Sequence, residues 1–458
     1  MAINIRVEDG LSMTIQQTRS ILQTETAKFG VFIDLDRAIE YQLHFRMLAS
    51  KYVKELYEFL GPNLAPTQNI KVREWFMGTF NIPERLMKTK ANKTAFDSAV
   101  RSNLLEANID ADAKKFIESY NSWSFNNYRD RYLKQYLSRP ISYGVSDIGH
   151  RMVIARPHWN ILSTSRLSAD DPSIQNLARD MKDLICTPQG WILVRADSSQ
   201  IEPRITYSRY IDDELIREFI VGYDDAYYGL YSYCNLPESV YANRELYCVA
   251  GSERAKTADP KYIIDVKEIT PEMASGRAAL KRLALAATYG SGLKDVDPLL
   301  AARYHERIVA HPSYVEWEAR VTAEVKRGVD TFYGTFGSPI VPEETTTYKP
   351  GTAAWGPHLI RCGINNPIQT TASELMTESV YEAQKILSHT EKTHIAYYKH
   401  DEGAFYVHES EKSIIPELEE ITAYNVTENG KPWIPIGSDL EMGQAKPNEA
   451  VPSVLNWS

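Results

Sequence analysis

Cysteine is scarce in this sequence, and its few thiols lie far apart. The four cysteines in 458 residues are Cys186, Cys234, Cys248 and Cys362, and no two of them form a CxxC pair. Zinc ribbons and disulfide frameworks need closely spaced or paired cysteines. We therefore expect four buried thiols and neither kind of site.

Long apolar runs and a secretory leader are also missing. Among the longest apolar stretches is RLALAA at 282–287, far shorter than the roughly 20 residues needed to cross a bilayer. The first residues, MAINIRVEDG, lack the charged-then-apolar order of a signal peptide. We expect a cytoplasmic protein with no membrane partner.

Positive charge does not dominate either. The net charge of −9 excludes a protein coated in cations, although a nucleic-acid binder needs only a local basic groove. The apolar fraction of 43% and the charged fraction of 24% are ordinary for globular proteins, which excludes disorder over most of the chain. The sequence has no internal repeat, and its length predicts two to four domains.

Helical patterns dominate the first third of the chain. Apolar residues recur every three or four positions and predict helices over 30–61, 71–80 and 111–137, the first ending at Gly61. The polar residues 1–28 predict an arm or a single helix. A basic turn at 86–96 carries three lysines, Lys88, Lys90 and Lys93. This turn is either a solvated loop or a tip that grips phosphates.

The remaining two thirds mix short strands with helices. Strands are predicted near residues 193, 397, 405 and 435, and further helices over 365–387 and 413–427. Because helices separate these strands, they predict one mixed or antiparallel sheet built from distant segments. Residues 231–270 have no regular pattern, which indicates an insertion between helices.

The segment GRAALKRLALAATYGSG at 276–292 sets four residues on one helical face. Arg277, Lys281, Leu285 and Tyr289 are four apart, so they stack one turn above the next. Cations at this spacing repel each other slightly, and a polyphosphate along the face would reverse that cost. Alone, the pattern is more typical of a basic surface stripe.

The segment RADSSQIEPR at 195–204 sets a carboxylate where an apolar strand ends. Asp197 is followed by small polar residues and then by Glu202. A strand-end carboxylate beside backbone carbonyls suits a hard cation such as Mg²⁺. The same residues could also form a helix N-cap.

The segment YYKHDEGAFYV at 397–407 contains His400, Asp401 and Glu402 within a strand–turn–strand pattern. Charged residues of this kind are also typical of a solvated hairpin turn. If Asp401 met Asp197 across neighbouring strands, the two could hold a pair of Mg²⁺ ions roughly 3.5–4 Å apart for in-line attack on phosphorus. With a phosphate-clamping helix, the three segments indicate nucleotidyl transfer.

These segments, in this order, resemble motifs A, B and C of family A DNA polymerases. DSSQIEPR matches the family's DYSQIELR, the Arg277-to-Tyr289 face with Gly290 matches motif B, and His400-Asp401-Glu402 matches HDE. STSRLSADDPSIQNL at 163–177 resembles the TGRLSS-DPNLQN segment, and RCGINNPIQTTASEL at 361–375 resembles the RxxxNxxxQ helix. The five matches cover 163–407.

The resemblance implies roles residue by residue. It implies that Asp197 and Asp401 bind two Mg²⁺ ions (Mn²⁺ being a possible substitute), with the Ser198 carbonyl assisting, and that Glu402 and Lys281 join in catalysis. It implies a nucleotide site formed by Arg277, Lys281, Leu285, Tyr289, Glu202, Gln200 and Tyr227, in which Glu202 crowds the sugar 2′ position. It implies primer–template contacts from Arg166, Gln175, Asn176, Arg361, Asn365, Gln369 and His400, and from thumb residues Lys88, Lys90 and Lys93.

The resemblance also implies an α+β right-hand fold with an antiparallel-sheet palm, helical fingers and a helical thumb. The expected divisions are an arm (1–28), thumb (29–139), palm (140–212 and 355–458) and fingers (213–354) with the 231–270 insertion. Leu285 stands where the family has Phe or Tyr, and Tyr227 where it often has His. Gly403, where the family has a larger apolar residue, has no explanation in the sequence.

The expected protein is a DNA polymerase of phage type. Few residues precede the predicted thumb, so we expect no exonuclease domain and proofreading, if any, on another chain. Expected partners are primer–template DNA, dNTPs and possible exonuclease, helicase-primase or single-strand-binding proteins, in the host cytoplasm. Two alternatives stay open: a single-subunit RNA polymerase and an inactive primer–template binding protein.

Overall fold

The structure is a computed structural model that describes residues 2–89, 94–289, 297–345 and 348–443. The strands are β1 (Ile3–Arg6), β2 (Val31–Asp34), β3 (Ile141–Val145), β4 (Arg151–Ala155), β5 (His158–Ile161), β6 (Leu167–Asp170), β7 (Trp191–Ser198), β8 (Cys248–Val249), β9 (Ile263–Ile264), β10 (Phe332–Tyr333), β11 (Pro339–Ile340), β12 (His394–Lys399), β13 (Glu402–His408), β14 (Tyr424–Glu428), β15 (Lys431–Pro432) and β16 (Ser438–Met442). The helices are α1 (Ile15–Lys28), α2 (Leu35–Leu60), α3 (Asn69–Thr79), α4 (Ser98–Glu106), α5 (Ala111–Leu137), α6 (Ile201–Arg209), α7 (Glu214–Tyr223), α8 (Ala226–Cys234), α9 (Glu238–Tyr241), α10 (Pro271–Tyr289), α11 (Pro298–Tyr304), α12 (Pro312–Lys326), α13 (Trp355–Leu387) and α14 (Ile415–Glu420). Long helices with small, mainly antiparallel sheets confirm the predicted α+β class.

The described chain divides into two compact units, here named the helical unit and the sheet unit. The helical unit comprises residues 31–156 and 177–189, and the sheet unit comprises 2–30, 157–176 and 190–443. This division differs from the predicted thumb–palm boundary at 139/140, because β4 pairs with both β3 and β2 inside the helical unit. None of the helices in the described ranges is long and apolar enough to span a membrane.

Two antiparallel helices, α2 and α5, form the body of the helical unit. Glu55 accepts a hydrogen bond from Ser119 towards one end of the pair, and Arg46 donates to Asp130 towards the other. Buried aromatic and aliphatic side chains from α2 to α5 fill the core beside this pair. Helix α5 has the predicted bounds, and the Asp110 carboxylate caps its start by accepting from the Asp112 N–H at 2.7 Å.

The predicted helix over 30–61 begins later than its pattern indicates. Val31–Asp34 forms β2, which pairs antiparallel with β4 from Val31 opposite Ala155. The Asp34 side chain then accepts a 2.9 Å hydrogen bond from the Arg37 N–H, which fixes the start of α2. Gly61, at φ 69°, ends α2 as predicted.

A four-stranded antiparallel sheet with the order β12-β13-β7-β16 forms the centre of the sheet unit. Three of its strands confirm the strands predicted near 193, 397 and 405, while β16 lies slightly beyond the one predicted near 435. The middle strands are buried through Leu193–Ala196 and Gly403–Val407, and all of these residues except Arg195, which forms an ion pair with Glu441, are uncharged.

The packing of this sheet accounts for Gly403. It lies opposite Tyr398 in the β12–β13 pair. A Cβ atom at position 403 would lie 3.1 Å from the Tyr398 ring and 3.3 Å from the Phe405 ring, and both rings are buried. Because glycine has no Cβ, the Tyr398 ring can pack directly against the backbone at position 403.

Both ends of the described sheet unit differ from the sequence prediction. The residues predicted as an arm contain β1, which pairs in parallel with β14 from Ile3 opposite Tyr424, and α1, which packs against β5 and β12. The Trp159 indole donates to the Thr26 hydroxyl of α1 at 3.1 Å. The helix predicted over 413–427 ends at Glu420, because the alternating residues after it form β14.

The region predicted as fingers is mainly helical, from α7 to α12. Its helices share one apolar core with α6 and α13. Residues 231–270 contain the end of α8, the single turn of α9 and the two-residue parallel pair β8–β9, in agreement with their irregular pattern.

Candidate active site

Neighbouring strands of the central sheet bring the predicted catalytic carboxylates to one end of the sheet. Strand β13 pairs with β7 in a register that sets Glu402 directly opposite Asp197. Asp401 precedes Glu402 in the turn after β12, and its carbonyl oxygen accepts a 2.9 Å hydrogen bond from the Ser198 N–H. Two segments 200 residues apart are thus joined at the residues that the sequence singled out.

The β12–β13 turn holds His400 in an unusual backbone conformation. Its φ of 56° lies in the left-handed region, which non-glycine residues seldom adopt. Burial lowers the pKa of His400 to about 4, and the charges of Arg166 and Lys399 act in the same direction. His400 is therefore neutral at pH 7.

Asp401 is a carboxyl group whose charged form is disfavoured in the free protein. Burial raises its pKa to about 6, the charges of Glu202 and Glu402 add to the shift, and Arg166 opposes it. A cation bound beside Asp401 would reverse this shift, because opposite charge favours the ionised carboxylate. Such a carboxylate is typical of a functional site.

The predicted metal ligands are of the type that Mg²⁺ prefers, although they are too few to surround the ion by themselves. Asp197, Asp401 and the Ser198 carbonyl all offer the hard oxygen atoms that Mg²⁺ prefers. In the described ranges, no three His, Cys, Asp or Glu side chains form a group that could hold a metal ion. Because Mg²⁺ is usually bound by one or two carboxylates together with water and substrate phosphates, the set suits an ion that keeps several waters and gains phosphate ligands when the substrate binds.

Glu202 and Glu402 are each held by a neighbour. The Arg166 guanidinium forms an ion pair with Glu202, the first acidic residue of α6. The Glu402 carboxylate accepts a 3.0 Å hydrogen bond from the buried Tyr397 hydroxyl. The loop that carries Arg166 is fixed by α13, where Ser373 donates to the Ser165 carbonyl at 2.7 Å.

Asp225 links three of the elements that carry predicted nucleotide-binding residues, and the sequence analysis did not single it out. Its carboxylate accepts from Gln200 at 2.7 Å and from Arg277 at 2.7 and 2.9 Å, and it caps α8 through the Tyr227 N–H. Burial works against ionisation, but the hydrogen bond from Arg277 and its other donors lower the pKa of Asp225. The available signal was an aspartate directly before a helical pattern, which predicts a cap.

Helix α10 presents its two predicted cations to one aromatic ring. The Arg277 guanidinium and the Lys281 ammonium lie 5.6 and 5.8 Å from the centre of the Tyr227 ring. Lys281 is exposed, whereas Arg277 is engaged by Asp225. The predicted shared face of Arg277 and Lys281 is therefore present.

Leu285 lies farther along the same helix and lines a pocket with Glu202, Tyr227 and Asn365. Its side chain is 37% exposed, which is high for a leucine beside apolar neighbours. Tyr289 is the last residue of α10, and Gly290, with which the sequence ends this helix, lies outside the described residues.

The predicted primer–template residues of α13 differ in exposure. Arg361 is exposed, and its guanidinium lies 5.7 Å from the centre of the Tyr348 ring. Asn365 and Gln369 lie one and two turns farther on and are buried, at 8% and 6% exposure. Of these three residues, Arg361 is the one free to reach a large ligand without rearrangement.

Gln175 and Asn176 have internal hydrogen bonds that their predicted DNA contacts would have to replace. The Gln175 amide accepts from the Ala169 N–H at 2.7 Å and donates to the carbonyls of Leu167 and Tyr398 at 3.0 and 2.9 Å. Asn176 is exposed and donates to the Ser173 hydroxyl. The Gln175 side chain therefore connects β6 to β12 through these hydrogen bonds.

The predicted lysine tip is described only in part. Lys88 donates to Glu84 at 2.6 Å and to the Thr94 hydroxyl at 2.9 Å, so its charge is already compensated by a carboxylate. Lys90 and Lys93 lie outside the described residues.

Part of the chain is similar in sequence to bacterial DNA polymerases I. The chain is 25% identical over 229 residues to the thermostable DNA polymerase I of Thermus thermophilus and, to the same extent, to that of Thermus aquaticus. It is 31% identical over 142 residues to DNA polymerase I of Pseudomonas aeruginosa. No protein-family model matches the chain.

The matched segments span only part of each protein. The Thermus alignments cover 47% of this chain and 23% of the relative, and the Pseudomonas alignment covers 29% and 14%. Among solved structures, the chain resembles the POL domain of Pol1 from M. smegmatis, in complex with DNA primer-template and dNTP, with a TM-score of 0.68 and 18% identity over 95% of this chain and 70% of that one. The chain therefore has the fold of a DNA polymerase I polymerase domain and shares sequence with DNA polymerase I over about half its length.

Proposed function

We propose that the chain is a template-directed DNA polymerase that adds deoxynucleotides to a primer 3′ end. The observation that carries this proposal is the β7–β13 register, which sets Glu402 opposite Asp197 and brings Asp401 beside Ser198. The likeness to DNA polymerase I in sequence and to a POL domain in fold supports the same reading.

In this proposal, Asp197, Asp401 and the Ser198 carbonyl hold two Mg²⁺ ions, for which Mn²⁺ is a possible substitute. When bound, such ions polarise the attacking and leaving oxygens of an in-line displacement. In the reaction, the primer 3′ hydroxyl gives up its proton to water and its oxygen bonds to the α-phosphorus, while the bond from the α-phosphorus to the α–β bridging oxygen breaks and pyrophosphate leaves. Glu402, held by Tyr397, adds a third carboxylate beside the two aspartates.

The triphosphate binds along α10. Lys281 contacts its phosphates and donates a proton to the leaving pyrophosphate, and Arg277 exchanges its ion pair with Asp225 for one with phosphate. Leu285, Tyr289 and Tyr227 line the nucleotide site, Gln200 anchors it to Asp225, and Glu202 excludes a 2′ hydroxyl. Because Arg277 is paired with Asp225 before the triphosphate binds, loss of this ion pair offsets part of the attraction between Arg277 and phosphate.

The residues proposed to contact primer–template DNA lie on several elements. Arg166, Arg361, Asn365, Gln369 and His400 belong to the sheet unit, and Lys88 to the helical unit. A role in phage replication and separate exonuclease, helicase-primase or single-strand-binding partners stay predictions from the sequence.

Primer extension tests this proposal. With a primed template, Mg²⁺ and four dNTPs, the parent chain should extend the primer, and Asp401→Asn should reduce the rate by about 10³-fold or more, the upper range for one preorganised electrostatic group. The matched control is Asp224→Asn, which changes a 96% exposed aspartate at φ 50°, where asparagine is well tolerated.

The alternatives predict other outcomes. If Asp401→Asn extended the primer as fast as its parent, the metal assignment would be wrong. A chain that bound primer–template without extending it would be an inactive binding protein. Efficient extension with NTPs would favour an RNA polymerase, against the crowding expected from Glu202.

A further inference from the structure

An open groove of about 630 Å³ lies in the helical unit and contains none of the residues assigned to nucleotidyl transfer. Its walls come from the start of α3, the segment leading into α4 and the middle of α5. All of its lining residues fall between Thr67 and Arg131, within one compact unit.

Helix α5 supplies the floor of this groove with two rows of side chains at four-residue steps. One row is Tyr120, Ser124 and Tyr128, and the other is Trp123, Asn127 and Arg131. Residues four apart lie one above the next on a helix, so each row extends about 12 Å at 1.5 Å per residue. That length matches about three to four bases stacked at about 3.4 Å.

The outer ends of both rows are available to a ligand. Tyr128 is 53% exposed although it is a large aromatic residue. The exposed Arg131 forms no ion pair with another described residue, and the side chains of Ser124 and Asn127 have no hydrogen-bond partner among the described residues. The groove thus offers an aromatic face, a cation and free amide and hydroxyl groups within two turns of one helix.

The charge of the groove is opposite in sign to that of the chain. Its described lining includes three arginines and one acidic residue, Asp97, whereas the whole chain has a net charge of −9. Arg101, one of the lining residues, is 8% exposed and lies 5.0 Å from the centre of the Tyr120 ring, so it adds positive potential beside the floor. A local excess of cations in an acidic protein indicates an anionic ligand.

We infer that this groove binds single-stranded nucleic acid, with a base stacked on Tyr128 and the backbone beside Arg131. Aromatic side chains in a cationic groove are the recurring features of sequence-tolerant single-strand sites. A duplex would present phosphates to Arg131 but no open base face to Tyr128. An acidic peptide would use the cation and leave the aromatic and amide groups unpaired.

Fluorescence anisotropy with a labelled 12-nucleotide oligodeoxythymidylate tests this inference on the full chain. The buffer contains EDTA and no dNTP, so a failure of the proposed polymerase activity would not affect the result. Tyr128→Ala should weaken binding about tenfold, as expected for the loss of one base-on-aromatic stack. Arg131→Gln should reduce the salt dependence, log K against log salt, by about 0.7.

The controls separate stacking from charge and from other DNA-binding surfaces of the chain. Tyr57→Ala and Lys54→Gln change an exposed tyrosine and an exposed lysine of α2 outside the groove, and both should bind within twofold of the parent. With an abasic strand of the same length, Tyr128→Ala should have no effect while Arg131→Gln keeps its effect. A 4-thiothymidine in the strand should crosslink to residues 120–131.

Three outcomes would overturn the inference. The first is binding of the oligodeoxythymidylate by both groove variants within twofold of the parent. The second is an equal loss for a 12-base-pair duplex, which would indicate a backbone-binding surface. The third is that polyglutamate displaces the labelled oligodeoxythymidylate as effectively as the unlabelled oligodeoxythymidylate does, which would indicate a site for acidic peptides.

Discussion

His394 should make the folded protein less stable in mild acid, and replacing it with phenylalanine should remove that effect. The ring is 3% exposed, stacks on Phe29 at 4.0 Å and has Trp191 and Tyr406 at its edges. Its Nδ1 lies 3.0 Å from the Lys392 carbonyl, so the neutral ring donates there. Burial lowers the pKa of His394 from 6.5 to about 4.

The sign and size of the effect follow from proton binding. The unfolded chain binds a proton at this histidine near pH 6.5, whereas the folded chain binds one only near pH 4. Stability is therefore lost as the pH falls from about 6.5 towards 4. Between pH 7.5 and pH 4.5, this one group removes about 2.5 kcal/mol of unfolding free energy, at 1.36 kcal/mol per pKa unit.

Urea denaturation of parent and His394→Phe at pH 7.5 and pH 4.5 measures this difference. The variant should lose about 2.5 kcal/mol less than its parent between the two pH values. At pH 7.5 its stability should change little, because the lost hydrogen bond to Lys392 is offset by removal of the buried, unpartnered Nε2. Phe29→Leu, which removes the ring stacked on His394, should destabilise at both pH values and keep the parent's pH difference. An unchanged pH difference in His394→Phe would refute the reasoning.

Two further measurements address the central sheet. Gly403→Ala should lower the free energy of unfolding in thermal denaturation by about 1–3 kcal/mol, because its methyl group overpacks the Tyr398 ring. The control is Gly437→Ala, where an added Cβ would lie 3.9 Å from the Ser199 Cβ, its nearest neighbour. Equal stability of the two variants would contradict the packing account. Calorimetry without DNA should find that Mg²⁺ affinity falls about tenfold for each pH unit below 6, because Asp401, with a pKa of about 6, must lose its proton before it binds the ion. Asp401→Asn should remove this pH dependence, and a flat profile between pH 5 and 7 in the parent would show that Asp401 does not bind the metal.

Much of the fold could be predicted where local pattern and tertiary structure agree. Helix α5 has the predicted bounds because its periodic residues and its Asp110 cap indicate the same start. Strand β2 was missed because Val31–Asp34 continues the apolar spacing of α2, and its partner β4 lies about 120 residues away. Strand β14 was missed because its partner β1 is even more distant in sequence.

The candidate site shows the same limit. The pairing near Asp197 and Asp401 could be predicted because both lie at strand ends within recognisable motifs. Asp225 could not be assigned beyond a helix cap, because its contacts with Gln200 and Arg277 join three distant segments. Local sequence also cannot show that the Gln175 amide is already used inside the sheet unit, which depends on the Tyr398 carbonyl 223 residues away.

The parallel pairing of β1 with β14 has a consequence for biosynthesis. Asn4 and Asn425, paired across these strands, are 421 residues apart, so β1 has no partner until more than 400 further residues have been synthesised. Most of the helical unit comes from the continuous stretch 31–156, whose contacts can form much earlier. We therefore expect nascent chains stalled before residue 424 to hold a protease-resistant helical unit and an accessible β1, and protection of β1 to appear only after β14 has been synthesised.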